Sequence, residues 1–152
     1  MTQSLHTLLE HAELQRDESM ASLLQAEDTA ARLREQSAQL HVYRDEYRAR
    51  HPALGGRAAS IDLLRTHQAF MQRLDQALSQ LRGQIEQAEE RAQRLRVELL
   101  ARETRVASVR KLIERRGQEA HRVAARQEQR RSDDAAPAPQ WRGAAGRMPV
   151  LL

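Results

Sequence analysis

An all-α fold, in which two long helices pair as an antiparallel coiled-coil hairpin, is predicted by three features of the sequence. Two runs carry apolar residues on a 3-4 alternation, a His51-Pro52-Ala53-Leu54-Gly55-Gly56 break separates them, and large rings are almost absent. One Phe, one Trp and two Tyr in 152 residues are too few to fill a conventional globular interior. Charged residues make up 30% of the chain and strand-forming residues are sparse, a composition suited to long solvated helices.

In the first run Leu5, Leu9, Ala12, Leu23, Ala26, Ala30, Leu33, Leu40 and Tyr47 keep the alternation, and Arg16, Ser19, Ser37 and Arg44 interrupt it. A seam rich in Ala and Ser has little apolar volume, so this helix, expected over about residues 4–50, needs a partner. The second run is stronger. Met71, Leu74, Leu78, Leu81, Ile85, Ala88, Ala92, Leu95, Leu99, Val106, Val109, Ile113, Ala120 and Val123 share the alternation, broken only at Arg102 and Arg116. A seven-residue period kept this long predicts a left-handed supercoil.

Pro52 disfavours helix at His51 and the paired glycines free the backbone, which places a hinge at about residues 51–59. Ser60 is positioned to cap a second helix over about residues 60–131, with Asp62 complementing its dipole. So short a connection suits antiparallel neighbours. The arms are unequal, about 70 Å and about 105 Å at 1.5 Å per residue. With Tyr47 set opposite Leu64, Leu5 falls opposite Val106, and residues 107–131 are left without a partner. That overhang carries Val109, Ile113 and Val123 as an apolar stripe among Arg110, Lys111, Arg115, Arg116, Arg122, Arg126, Arg130 and Arg131. From Ser132 the chain turns to Asp, Ala, Pro and Gly without periodicity, which predicts a disordered tail over residues 132–152. Trp141 and Val150-Leu151-Leu152 are candidates there for a short docking motif.

Charge is distributed unevenly. Residues 1–28 carry six acids against Arg16, and residues 102–131 carry ten bases against four acids. Such a dipolar chain suits self-pairing or an acidic partner. No cysteine is present, which excludes disulfides, thiolate zinc sites and cysteine nucleophiles. The first residues lack a basic start followed by an apolar run, and nothing approaches the roughly 18 apolar residues of a membrane span, so a soluble cytoplasmic protein is expected. Gly55-Gly56-Arg57 lacks the spacing of a phosphate loop. The six histidines never fall at the i, i+4 spacing of a helical zinc site. A rod also has no water-poor pocket in which to shift a carboxylate, so no enzymatic activity, cofactor or metal is expected. Nor is nucleic acid an expected partner. The basic segment is interleaved with Glu114, Glu119 and Glu128, lacks stacking rings, and follows the heptads, whereas a zipper's basic region precedes them.

Beside the hinge, Gln36, Leu40, Tyr43 and Tyr47 stand at i, i+4, i+7 and i+11, and Phe70, Leu74, Ala77 and Leu81 repeat that spacing on the second helix. Leu40, Tyr47, Leu74 and Leu81 belong to the seam, whereas Tyr43, Phe70 and Ala77 lie beside it. The apolar face is wider here than two helices require. Two readings stand: the rings pack the coil where it splays, or they form a partner surface, since aromatic anchors dominate hot spots.

The segment Leu40-His41-Val42-Tyr43-Arg44-Asp45-Glu46-Tyr47-Arg48, with His67-Gln68-Ala69-Phe70-Met71-Gln72-Arg73-Leu74-Asp75-Gln76-Ala77 and the late Leu112-Ile113-Glu114-Arg115-Arg116, resembles the FliJ family of bacterial flagellar export proteins over most of residues 5–131. The resemblance implies a component of flagellum biogenesis and chemotaxis. It implies a stalk at the hexameric export ATPase that contacts the cytoplasmic domain of the membrane export gate and handles export chaperones. It would sit in the cytoplasm, peripheral to the inner membrane through its partners. By position, Gln36, Leu40, Tyr43, Tyr47, Phe70, Leu74 and Ala77 match the family's gate-binding surface, and Leu81 falls where enteric relatives have His. For the ATPase, the open end with Arg110, Lys111, Arg115, Arg116 and Arg122 is the expected contact. The alternatives are the equivalent stalk of a virulence type III secretion system and a structural coiled coil that self-associates through Val109, Ile113 and Val123.

Overall fold

The computed structural model describes residues 2–50 and 60–136. Helix α1 spans Thr2–Arg50 and helix α2 spans Ile61–Ala135, and they pack against each other as an all-α helical hairpin. The Ser60 side-chain oxygen accepts from the Leu63 amide at 3.2 Å, its carbonyl accepts from Leu64, and Asp62 lies in the first turn. One orphan donor and the helix dipole are thereby satisfied. At its far end α2 continues to Ala135, past the expected stop at Arg131. Asp133 contributes there, taking a hydrogen bond from Gln129 at 3.3 Å on its carboxylate and one from Ala136 on its carbonyl. The Pro52 hinge, Trp141 and the Val150-Leu151-Leu152 motif lie outside the described residues.

Register is set by ion pairs between the helices. Glu13 pairs with Arg110 at 2.9 Å, Glu27 with Arg96 at 3.2 Å and Arg34 with Glu89 at 2.8 Å. Going up α1 by fourteen and then seven residues descends α2 by the same steps, so the pairs occupy one flank of the seam at whole-heptad spacing. In this register Ala26 faces Ala92, Leu23 faces Leu95, Ala12 faces Val106, Leu5 faces Ile113 and Tyr47 faces Met71. Burial agrees: Leu5, Ala12, Leu23, Ala26, Ala30, Leu74, Leu78, Ala92, Val106 and Val109 form the core.

This corrects the expected alignment by one heptad. A slip of seven residues still leaves the two apolar stripes facing each other, so the seven-residue period by itself does not choose between the two alignments. Charge does. With Leu5 opposite Val106, Glu13 would face Glu103, Glu27 would face Glu89, and Arg34 would face Arg82. Three attractive rungs would become three repulsive ones, at roughly 0.2–1 kcal/mol each. The observed alignment also covers Val109 and half-buries Ile113, leaving Val123 as the exposed member of the expected stripe. Self-association through Val109, Ile113 and Val123 together is thereby ruled out, because α1 already occupies the first two.

The middle of the rod is narrow. Ala26 and Ala92 share a cluster with Leu23, against which Leu95 and Leu99 pack, and Ala30 opposes Ala88 one layer nearer the hinge. Methyl groups alone fill these layers, and Ala26, Ala30 and Ala92 are buried, so a larger side chain in the seam must displace its neighbours. Ala92→Leu is expected to destabilise the hairpin by about 1–3 kcal/mol through overpacking. A thermal melt followed by circular dichroism reads this, and an unchanged midpoint would contradict the overpacking.

Candidate partner-binding surfaces

At the hinge end the heptad positions on the other flank come together. Tyr43 and Phe70 meet edge to face, with ring centroids 6.4 Å apart and planes at 77°. Tyr47, from the seam, lies against the same Phe70 at 4.5 Å and stacks on His67 at 5.3 Å, nearly parallel at 13°. Edge-to-face and offset contacts of this kind suit the ring quadrupoles. One heptad further from the hinge the register sets Gln36 opposite Ala77. Four of the eight singled-out residues are thus two successive rungs of this flank, Tyr43 with Phe70 and Gln36 with Ala77. The other four, Leu40, Tyr47, Leu74 and Leu81, stand behind them in the seam.

Exposure divides them further. Tyr43 is 45% exposed and Gln36 is open to solvent, while Phe70, Ala77, Leu40, Tyr47 and Leu81 are half-buried. Leu74 is 7% exposed, a core residue that supports the surface from behind and is not itself open to a partner. Arg44 occupies a seam position opposite Leu74 and turns out to Asp75 at 3.1 Å, with its Nε buried and without a hydrogen-bond partner. His67 continues the seam one step below Met71, which was legible, whereas its stacking on Tyr47 depends on the hairpin register.

At the open end the arginines do not act as one group. Arg110 belongs to the ladder through Glu13. Lys111 is exposed, and Arg115 and Arg122 line one groove with Glu119 and Val123. The basic surplus lies over residues 102–116, six bases against two acids, where α2 still runs beside α1. Residues 117–135, beyond the start of α1, carry four bases and four acids. The expected basic overhang is therefore shorter, and electrically balanced. Much of the dipole of the chain is neutralised across the seam, where the acidic start of α1 lies along the basic part of α2.

A model of the FliJ family, described as flagellar FliJ protein, matches residues 1–144. The chain belongs to the FliJ family. It is therefore a component of the flagellar protein export apparatus. The match takes in both helices, so the FliJ assignment covers the hinge-side rings and the open end alike. No curated protein and no solved structure matches the chain. Among the described residues of this FliJ chain, no helix is long and apolar enough to cross a membrane, and no group of three or more His, Cys, Asp or Glu is placed to hold a metal ion.

Proposed function

We propose that this chain is the coiled-coil stalk of the flagellar export apparatus, joining the export ATPase hexamer at its open end to the cytoplasmic domain of the membrane export gate at its hinge end. It assists export chaperones, works in the cytoplasm, and reaches the inner membrane only through its partners. The observation that carries this reading is the difference between the two ends. One end has two rings beside the seam, Tyr43 and Phe70, backed by Tyr47 from the seam, with Tyr43 open to solvent. The other continues as a single helix whose Val123 is exposed.

A rod of this kind performs no bond chemistry. It holds two surfaces at a set distance, and the free energy for movement comes from its partners. The equivalent stalk of a virulence secretion system would share the architecture, but the description of the matching family is flagellar, which favours the flagellar reading.

The test is a quantitative pull-down with the export ATPase and, separately, with the cytoplasmic domain of the gate. The full chain is expected to retain both. A chain ending at residue 116 keeps every seam layer, and should hold the gate undiminished while losing at least about tenfold in ATPase affinity, about 1.4 kcal/mol. Normal ATPase retention by the shortened chain would overturn the assignment of the ends.

A further inference from the structure

The ion-pair ladder has a gap. Between Glu13–Arg110 and Glu27–Arg96, the intervening heptad rung holds Met20 opposite Glu103. Around it the surface turns apolar. Met20 is 42% exposed, Leu24 61%, Val97 61% and Leu100 64%. Met20 and Leu24 are one turn apart on α1, Leu100 stands on the α2 shoulder of the same flank with Val97 one turn away toward the outer face, and Leu24 with Leu100 lies within one residue of the ion-pair spacing. Exposed apolar residues scattered singly need no explanation, whereas a contiguous group marks a contact surface. On the opposite flank the same level carries Ser22 and Arg91, so the apolar character belongs to one face.

We propose that this face is the interface for a second copy of the same chain, lying side by side with its hinge end pointing the same way. Charge complementarity selects both the occupant and its direction. A two-fold axis along the rod sets α1 of one copy against α2 of the other. Leu24 then meets the second copy's Leu100, and Leu100 meets the second copy's Leu24. Glu13 faces Arg110 of the second copy, Glu27 faces Arg96, and Arg34 faces Glu89. Each of these three rungs becomes a quartet of alternating sign, on either side of a middle rung that holds Met20 and Glu103 of each copy. With the axis across the rod, α1 would lie on α1. Aligned rungs would then set acid against acid and arginine against arginine.

The flank with Tyr43 and Phe70 faces away from this contact. A pair would present two ring surfaces at the same pole, and so bind a clustered partner with higher avidity. The apolar centre is small, so the contact is of the weak, transient class.

Sedimentation equilibrium of the full chain, from about 5 to about 500 µM, tests the proposal. A concentration-dependent dimer is expected, weakened at least about tenfold by Leu24→Ala with Leu100→Ala. Both side chains are solvent-exposed, so helicity should be unchanged. Orientation is read by thiols, since the chain has no cysteine of its own. Under mild oxidation an equimolar mixture of Leu24→Cys and Leu100→Cys chains should cross-link, while each alone should not.

A chain that stays monomeric at every concentration overturns the proposal. Cross-linking of the Leu24→Cys chain with itself as readily as in the mixture overturns the parallel arrangement. Dimerisation that appears only after removal of residues 137–152 would make the chain's own tail the occupant of this face, and so would also overturn it. None of these readouts involves the ATPase or the gate, so their failure is distinct from failure of the stalk reading.

Discussion

A chain carrying Tyr43→Ala, Tyr47→Ala and Phe70→Ala is expected to lose gate binding by at least about a hundredfold while keeping its helicity, because hot-spot rings each contribute about 2 kcal/mol or more and their effects do not simply add. The rings support one another. Phe70 contacts both tyrosines, so removing it frees Tyr43 to adopt other rotamers even though Tyr43 itself remains. Because Tyr47 is half-buried in the seam, its loss also loosens the hinge end of the coil. The single Tyr43→Ala variant separates the two effects. Its ring is 45% exposed and lies beside the seam, so affinity should fall about tenfold with the thermal midpoint unmoved. Val42→Ala, also exposed but on the outer face, is the control and should bind normally. Titration calorimetry against the cytoplasmic domain of the gate measures all of these. Unchanged affinity of the triple variant would refute the assignment.

The second large effect is on stability and has the opposite sign. Arg16 and Arg102 occupy the same seam layer, where two guanidinium groups cannot meet. Each turns aside instead, Arg16 to Asp17 at 3.0 Å and Arg102 to Gln15 at 3.0 Å and Glu98 at 3.6 Å. Only the aliphatic stems of the two partly buried arginines pack in this layer, and its ion pairs to exposed carboxylates contribute little. Arg16→Leu with Arg102→Leu is expected to stabilise the hairpin by about 2–4 kcal/mol, the transfer free energy of two partly buried leucines. Applied to a chain of this length, that is a rise of roughly 10 °C in Tm. An unchanged or lowered midpoint would show that the charged layer is integral to the packing. The same layer divides the seam, leaving Ala12, Leu9 and Leu5 with their partners as a short module at the open end. In the double variant, slower hydrogen exchange of the α1 amides before residue 16 would confirm that the arginines loosen it.

Particular residues show how much was legible. The 3-4 alternation in each run, the break at Pro52 and the Ser60 cap were enough for the helix pair. The stripes through Tyr43 and Phe70 were visible as a surplus beside the seam. What could not be read from one helix at a time was which residue faces which. The Tyr47–His67 stack, the burial of Leu74 and the pairing of Arg110 with Glu13 all depend on that choice. The exposed group around Leu24 and Leu100 also stayed hidden, because its members lie outside the heptad seam and far apart in the chain, and only the hairpin sets them on one flank.

By itself, then, the sequence determined two helices, their unequal lengths, their antiparallel pairing and the side of the seam on which the rings stand. All of these follow from local propensity and from a seven-residue period. The tertiary structure alone decided the alignment of the arms, and with it the length and neutrality of the overhang, the burial of Val109 and the faces left open. The reason is a degeneracy. The apolar stripe has a seven-residue period that a slip of one heptad preserves, whereas a charged rung is not preserved, since the slip changes Glu13–Arg110 into Glu13–Glu103.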